Sequence, residues 1–534
     1  MTTTNEILQA LLKSDDLVRG ISERLGLQKA DTISQNTGLL WYDLRPVVQL
    51  LYPFKELIPA LSRLPRVAAN GGNAFHWKRI VAINSSNTSP GVSEGNRGAR
   101  ISIVEQDQQA VYKTMGLENS VTFEARLGSV NLQPDALGLA VQSTLRATMI
   151  SEEQTLILGN ASTALGATNN PVLSAGGSGG NFGGVTAISV VCVALSGLGW
   201  LGYTPYVPAT GNGGVPGQVT KINADRSSDT FGGGSAKPSS SVAITGITAG
   251  QKVTATVAKS AGAVAYAWFV GLTAGSEVYA ATSQSNQIVL TQVPSGTQPI
   301  STLQVGGTYQ DNSTNGLLPD GILSQIYGGV FGGAPSLAMA TNPQLPSGVT
   351  VTSGGSLVYY APTGNTGLTI AGTNISEFDL ILQAAYEQYK IGFSRIYVSS
   401  SDLANFSGAM LAQGSSSMFR VLFDAEATTG RIVAGRRVTS YLNKFFGNTL
   451  DIELHPYLPP GTILFWSDSP PYELSGVANI LEAHVRQDYY QIQWPLSTRR
   501  YEYGVYVDEV FACYFTPAFA AIANLNPPAG SLVF

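Results

Sequence analysis

Apolar residues recur at helical spacing in three stretches of this chain. The first lies within residues 1–30 and predicts an amphipathic arm that packs either on its own domain or on a neighbouring subunit. The second starts at Pro134 and Asp135 and stops at Gly159, so it predicts one long helix. The third has Ser376 as its N-cap. The side chains on these faces are Ile7, Leu8, Leu11, Leu12, Leu17, Val18, Ile21 and Leu25; Leu137, Val141, Leu145 and Met149; and Phe378, Ile381, Leu382, Ala385 and Tyr389.

Two strand patterns flank a polar loop in the first quarter of the chain. Residues 75–83 have strand character, residues 84–100 are rich in Ser, Asn and Gly, and apolar residues resume at Ile101 and Ile103. Strands joined by a loop of this length predict a long hairpin whose tip has too few apolar residues to pack on its own core. Before the hairpin, prolines break the apolar residues 44–67 into an extended tether with short turns.

The middle of the chain alternates polar and apolar residues, which is typical of short β-strands. Residues 235–305 are therefore interpreted as a small inserted β-sandwich, in which Trp268 resembles the core tryptophan of immunoglobulin-like strands. The alternative is an ordinary strand tryptophan in the sheet of the host domain. The Gly-, Ser- and Pro-rich residues 211–241 predict a connector. Residues 185–200 are apolar but shorter than the roughly 20 residues that span a membrane, so they predict a buried helix.

Regular structure is predicted again after Ile375. A buried strand at residues 394–399 follows the third helix, and the last hundred residues are rich in strands, at 449–454, 462–466 and 501–507. Helix followed by strand is typical of α/β structure, and we interpret it as the rest of the domain that the sandwich interrupts. The fold class predicted for the whole chain is α+β.

Composition changes this picture by pointing to other copies of the chain. Only 12% of the 534 residues are charged, against roughly 25% in an average soluble domain. A content of 44% hydrophobic residues excludes disorder driven by charge. A surface so thinly charged is hard to keep soluble as a monomer, so we expect much of it to face other subunits. The net charge of −5 excludes wrapping of nucleic acid as the main role.

Candidate catalytic residues are few. His76, His455 and His484 form no metal-binding pair on a helix, and we interpret all three as structural histidines with satisfied hydrogen bonds. Ser178 lies in a Gly-x-Ser-x-Gly sequence, but a flexible low-complexity stretch surrounds it instead of the strand, turn and helix that expose a catalytic serine. We therefore predict a mechanical function without enzyme activity, cofactor or metal, and an esterase acting through Ser178 is the last alternative.

The cysteines and the paired arginines complete the candidate residues. Cys192 and Cys513 are predicted to be small buried apolar residues. Arg436 with Arg437, and Arg499 with Arg500, are the densest basic pairs. Solvated or intramolecular ion pairs are the preferred interpretation of both, over contact with nucleic acid or with another subunit. The first residues contain no apolar core of signal-peptide length, so synthesis in a cytoplasm is expected.

The order of these parts resembles the major capsid proteins of tailed bacteriophages, which have the Hong Kong 97 fold. The similarity is most specific near the end of the chain: residues 454–465 with their Pro-Gly turn, the tyrosine-rich strand 501–510, and Pro517-Ala518 with Asn524-Leu525. The resemblance covers residues 40–165 and 375–530, with the sandwich as an insertion. Some family members cross-link hairpin lysines, but residues 84–100 contain no lysine, so this chemistry is not expected here.

The resemblance implies a division of the chain into five parts. These are an N-terminal arm (1–70), an extended hairpin or E-loop with flanking strands (71–130), a spine helix with the first part of the capsid core (131–234), the inserted immunoglobulin-like β-sandwich (235–305), and the remainder of the axial domain with the C-terminal return to the peripheral domain (306–534).

The resemblance also implies a function in a virion capsid. Hexamers and pentamers of the chain would form an icosahedral head shell around phage DNA, after assembly in the bacterial host cytoplasm. The hairpin would lie over one neighbour and the arm beneath another. The implied partners are separate scaffolding, portal and cement proteins and double-stranded DNA contacted weakly on the inner face, with no membrane. Two alternatives stay open: an encapsulin-type compartment shell, and a phage tail, fibre or surface adhesin.

Overall fold

The fold is known from a computed structural model. It describes residues 51–83, 88–129, 135–207, 210, 212–328, 345–364, 367–371, 374–413, 438–470, 472, 476–496 and 498–525. The predicted amphipathic arm within residues 1–30 lies outside these ranges, and so do Arg436 and Arg437.

The described ranges contain both helices and runs of consecutive strands, which confirms the α+β prediction. The α-helices there are α1 (Phe123–Gly128), α2 (Ala136–Leu158), α3 (Gly197–Gly202), α4 (Ile322–Ile326), α5 (Ser376–Tyr389) and α6 (Ser400–Gln413). Short 3₁₀ turns occur at Lys55–Leu57, Leu61–Arg63, Ile300–Leu303 and Thr516–Ala518.

The strands of the described ranges are, in chain order, β1 (Arg66–Ala68), β2 (Ala74–Ile83), β3 (Ile103–Val111), β4 (Lys113–Thr122), β5 (Val172–Gly176), β6 (Ala187–Leu195), β7 (Thr204–Val207), β8 (Asn212–Gly214), β9 (Gln218–Ile222), β10 (Ser228–Gly232), β11 (Val242–Thr245), β12 (Lys252–Thr256), β13 (Ala265–Gly271), β14 (Val278–Ser283), β15 (Gln287–Leu290), β16 (Gln304–Val305), β17 (Thr308–Tyr309), β18 (Val349–Val351), β19 (Leu357–Tyr360), β20 (Ile370–Ala371), β21 (Asn374–Ile375), β22 (Arg395–Val398), β23 (Ser440–Leu442), β24 (Thr449–Leu454), β25 (Ile463–Trp466), β26 (Leu481–Gln493), β27 (Arg500–Cys513) and β28 (Phe519–Ala523).

The long helix α2 has the predicted bounds. The Asp135 carboxylate accepts a hydrogen bond from the Gly138 N–H at 2.8 Å, and Gly159 is the C-cap. The predicted apolar stripe is only half-buried in the first half of the helix, whereas Thr144 and Thr148 are buried. Each threonine hydroxyl donates to the carbonyl four residues earlier, which removes the cost of burying it.

A four-stranded sheet carries α2 on one face. Its strand order is β1, β26, β27, β4, with β1 parallel to β26 and the other pairs antiparallel. The predicted strand at 501–507 is part of β27, and Tyr503, Val505 and Val507 on one of its faces are buried. Asn119 on β4 donates to the Thr144 hydroxyl of α2 at 3.3 Å, so this sheet and the helix share one interface.

A seven-stranded sheet forms the second layered unit, in the order β18, β19, β28, β25, β22, β24, β23. Helix α5 packs on it through the predicted face, and β22 confirms the predicted buried strand at 394–399. The predicted N-cap is wrong by one residue, because Ile375 is the cap and makes no side-chain cap hydrogen bond. The Ser376 N–H already donates to the Thr369 carbonyl, so β21 runs directly into the helix.

Two sheets, β11-β6-β13-β14 and β15-β12-β5, pack on a common core to form a β-sandwich. The predicted buried helix at 185–200 is wrong, because residues 187–195 form strand β6. β-branched Ile188, Val190, Val191 and Val193 favour a strand, and alternate side chains of β6 enter two different apolar clusters.

The sandwich begins earlier than predicted. Strands β5 and β6 belong to its sheets, so the expected boundary at residue 235 falls inside the β-sandwich. The predicted connector at 211–241 also differs, since it contains β8 and the antiparallel pair β9 and β10. Asn286 ties the sandwich to the seven-stranded sheet, because its N–H donates to the Asn524 side-chain oxygen at 2.7 Å.

Candidate interaction surface

The hairpin of β2 and β3 has the predicted form. The strands pair antiparallel from Ala74 opposite Val111 to Ile83 opposite Ile103, in a sheet of two strands. At roughly 3.3 Å per residue, strands of this length extend about 30 Å from base to tip. The hairpin therefore carries its tip well away from its own base.

Large apolar side chains in the outer half of the hairpin are open to solvent. Between 49% and 63% of the surface of each remains exposed in Ile80, Ile83, Val92, Ile101 and Ile103. Full burial of one such side chain contributes about 1.5–3 kcal/mol. An exposed group of this size is typical of a surface that another protein covers.

The base of the hairpin, in contrast, is anchored on its own subunit. The Phe75 ring stacks on His484 with ring centroids 3.8 Å apart, and Trp77 meets Tyr514 edge-on at 5.8 Å. His484 Nε2 lies 2.9 Å from the Tyr514 hydroxyl oxygen, and desolvation lowers the pKa of His484. The structural prediction for His484 is confirmed, and its ring supports the first strand of the hairpin.

A buried carboxylate on α2 holds the tether that precedes the hairpin. Glu153 accepts hydrogen bonds from the N–H groups of Ala60 and Leu61, at 3.0 and 2.6 Å. His455 Nε2 lies 2.7 Å from the same carboxylate, and both side chains are fully buried. The Tyr457 N–H points to His455 Nδ1, so that nitrogen accepts and Nε2 carries the proton toward Glu153. His455 is thus a satisfied structural histidine, as predicted.

A second, partly buried cluster joins the tether to α2 and to the four-stranded sheet β1-β26-β27-β4, which is called the long sheet from here on. Arg66 of β1 lies 2.6 Å from Glu152, 2.9 Å from Asp488 and 3.2 Å from Glu509. The Tyr489 hydroxyl also donates to Glu152. Three carboxyl groups thus share one guanidinium, and Glu152 and Glu509 are almost wholly buried. Burial, followed by repulsion from Glu152, raises the pKa of Glu509 well above its ordinary value.

The remaining predicted residues lie apart from these clusters. Cys192 and Cys513 are free and buried as expected, and burial raises the pKa of each thiol. Arg499 pairs with Glu124, in line with the intramolecular interpretation. His76 differs from its prediction because it lies exposed on β2.

Ser178 lies exposed in the loop from β5 to β6. A strand, not a helix, follows the Gly-x-Ser-x-Gly sequence, so the serine lacks the sharp strand-to-helix turn of hydrolases. Within the described part of the chain, no three His, Cys, Asp or Glu side chains are grouped to hold a metal ion.

Sequence reasoning missed Glu152, Glu153 and Glu509. For Glu152 and Glu153 the available signal was their position as adjacent acidic residues inside an apolar helix, because such residues are rarely buried without a partner. Among the described helices, none combines the length and the apolar character of a membrane span.

Comparison with known proteins gives similarity at the level of structure alone. No family model matches the sequence, and no curated protein matches it. The structure is similar to the capsid of a native GTA particle, at 8% identity and a TM-score of 0.40, covering 92% of this chain and 97% of that one. The cyanophage A-1(L) capsid matches at 10% identity and a TM-score of 0.39, covering 92% and 98%. The holo-SrpI encapsulin complex from Synechococcus elongatus PCC 7942 matches at 7% identity and a TM-score of 0.36, covering 91% and 93%.

Proposed function

We propose that this chain is a major capsid protein of a tailed bacteriophage with a Hong Kong 97-like fold. Its hexamers and pentamers form the icosahedral head shell that encloses phage DNA. The chain acts by binding copies of itself and has no enzymatic role. In this proposal β2 and β3 are the extended hairpin, α2 is the spine helix, and the β-sandwich is the inserted immunoglobulin-like domain.

The exposed outer half of the hairpin is the observation that carries the proposal. Its strands pair along their length with one irregularity between Ile80 and Ala82, yet about half or more of the surface of five apolar side chains stays exposed: Ile80, Ile83, Val92, Ile101 and Ile103. A two-stranded hairpin is at best marginally stable in water, so this one gains stability when another surface covers it. Identical subunits that cover each other in this way build closed assemblies.

Two further features support an assembly of many copies. The charged fraction of 12% leaves little surface repulsion to oppose association. The tether is fastened to α2 and the long sheet through Glu153 and Arg66, so it leads from the described domain toward residues 1–50 at a fixed place. A shell subunit needs such a fixed exit because any arm that reaches a neighbour must start from a constant position.

The experiment is to express the full chain and follow its assembly by sedimentation velocity and negative-stain electron microscopy. We expect hexamers, pentamers or closed shells. A monomer that persists at concentrations of tens of micromolar contradicts the proposal. Elongated trimers favour the adhesin alternative, and closed particles filled with protein instead of DNA favour the encapsulin-type compartment.

A hairpin variant tests the observation directly. Deletion of residues 84–100, with Ile101→Asn and Ser102→Gly to supply a two-residue turn, shortens the hairpin without changing its base. Because the described tip residues are exposed, the subunit is expected to keep its unfolding midpoint and to assemble poorly. Shells of normal yield from this variant overturn the role given to the hairpin. Val172→Ser, at an exposed position of the sandwich, is the matched control that leaves assembly unchanged.

A further inference from the structure

An open groove lies between the long sheet and the pair β9 and β10. Its volume is about 710 Å³. It is lined from β4 by Thr114, Gly116, Leu117 and Glu118, from the β9 and β10 pair and its turn by Lys221, Ile222, Asn223, Ala224, Asp225 and Asp229, from the end of β26 by the following residue Trp494, and from β27 by Glu502 and Tyr506. The residues of α2 are absent from this lining, so the groove lies on the sheet face that the helix leaves open.

The floor of the groove is a flattened aromatic surface. The Tyr506 ring lies across Gly116 and Gly504, and a Cβ atom at either glycine would collide with it. The Tyr506 hydroxyl donates to Glu118, which fixes the ring against the sheet. A ring held flat in this way offers its open face to whatever enters the groove.

The rim of the groove is acidic and partly apolar. The lining contains one cation, Lys221, and four carboxylates, Glu118, Asp225, Asp229 and Glu502, so its net charge is −3. Two large apolar side chains are exposed beside the carboxylates, Ile222 at 75% and Trp494 at 40% of their surface. The groove therefore suits an extended segment that carries both cationic and apolar side chains.

The hairpin tip of this same chain has that composition. Its described residues 88–101 carry Arg97 and Arg100 against one carboxylate, Glu94, and they expose Val92 and Ile101. Apart from Thr88, these described residues lie open to solvent. None of these described tip residues lines the groove of its own chain. Charge and polarity thus match between two surfaces that one copy does not bring together.

We propose that the groove between the long sheet and the β9 and β10 pair binds the hairpin tip of a second copy of this chain. Arg97 and Arg100 lie among the rim carboxylates, and Val92 and Ile101 pack toward Ile222 and Trp494. The inference rests on the proposed function, and it assigns to the β9 and β10 pair the role of a wall that retains the neighbour's tip.

Charge reversal on each side tests the electrostatic part. The pair Arg97→Glu and Arg100→Glu, and separately the pair Asp225→Lys and Glu502→Lys, are each expected to lower assembly yield about tenfold at low ionic strength. A four-site variant that carries both pairs of substitutions in one chain is expected to restore most of the yield. Equal failure of the four-site variant, with normal unfolding midpoints throughout, contradicts the pairing.

Cysteine cross-linking tests the position independently of charge. A tagged Val92→Cys chain is mixed with an Ile222→Cys chain, so a tagged-to-untagged disulfide joins two copies. Both native cysteines are buried and do not compete. We expect this disulfide on assembly, and none when Val172→Cys, equally exposed on the sandwich, replaces Ile222→Cys. Shells without the Val92 to Ile222 disulfide overturn the groove assignment alone, whereas wild-type chain that never associates overturns the proposed function.

Discussion

The β-sandwich and the β2 and β3 hairpin differ in where their apolar side chains lie. In the sandwich, Trp268, Val190 and Val253 are fully buried between two sheets of the same chain. In the outer hairpin, Ile80 and Ile83 remain more than half exposed although each has a partner residue on β3. The comparison shows that strand pairing and core formation are separate events. The sandwich completes both within one subunit, whereas the outer hairpin completes only strand pairing within the described part of its own chain.

Truncation inside the sandwich is expected to have the largest effect on stability. Trp268 is fully buried and its Nε1 donates to the Ser283 hydroxyl at 2.7 Å. Trp268→Ala should lower the free energy of unfolding by about 3–5 kcal/mol because it leaves a cavity in the core and removes the hydrogen bond to Ser283. Urea denaturation followed by circular dichroism measures this. A loss below about 1 kcal/mol contradicts the closed core described for the sandwich.

Removal of the Glu153 carboxylate should rank second. Glu153→Ala leaves the Ala60 and Leu61 N–H groups and His455 Nε2 buried without an acceptor. Unsatisfied buried donors cost about 1–3 kcal/mol each, and partial relaxation makes about 3 kcal/mol the expected total. Thermal unfolding measures the loss. The control is Glu453→Ala on β24, which breaks the partly exposed ion pairs with Arg63 of the tether and with Arg395 and should cost about 1 kcal/mol or less.

The free energy of unfolding should depend on pH through the ionisation of the Glu509 carboxyl. Its pKa is raised in the folded state by burial, so the folded protein holds a proton that the unfolded chain releases above about pH 4.3. The contribution of Glu509 to stability is therefore complete at or below that pH and falls as the pH rises toward its folded pKa, by at most about 1.4 kcal/mol per pH unit. Glu509→Gln should remove this contribution, and the two unfolding curves should converge at acidic pH.

The matched variant for this prediction is Glu105→Gln, at an exposed carboxyl on β3. It should keep the full pH dependence of the wild-type protein. A Glu509→Gln protein that loses stability with pH as steeply as the wild type shows that other groups cause the fall. The comparison between variants also cancels Asp402, another buried carboxyl whose pKa burial raises.

The smallest effect on stability is expected in the hairpin, where the effect on assembly should be large. The double variant Ile80→Ser and Ile83→Ser should change the unfolding free energy by no more than about 0.5 kcal/mol, because both side chains are already exposed. Its assembly should fall sharply, as each lost contact removes apolar burial at every repeated interface. Sedimentation velocity measures the fraction of assembled chain. A normally folded variant that forms shells in normal yield contradicts the role of these isoleucines in assembly.

Local signals predicted helix α2 and the hairpin well because their causes are local. Asp135 and Gly159 mark the ends of α2 through their own backbone geometry and hydrogen bonds. The hairpin follows from period-two strands around a polar loop. Burial along α2 was predicted less well, because threonines that bond to their own backbone pack against the sheet as readily as leucines do.

Sequence by itself determined the α+β class, the bounds of α2, the paired strands of the hairpin, the burial of both cysteines and the low charge that favours association. Tertiary structure alone decided which strands residues 187–195 pair with, because the partners β11 and β13 come from later in the chain. It also decided that Glu152, Glu153 and Glu509 lie buried, and that β9 and β10 stand beside the long sheet. The spacing of apolar residues reflects interactions between residues close in the sequence. Burial and grooves depend on which segments distant in the sequence pack against each other.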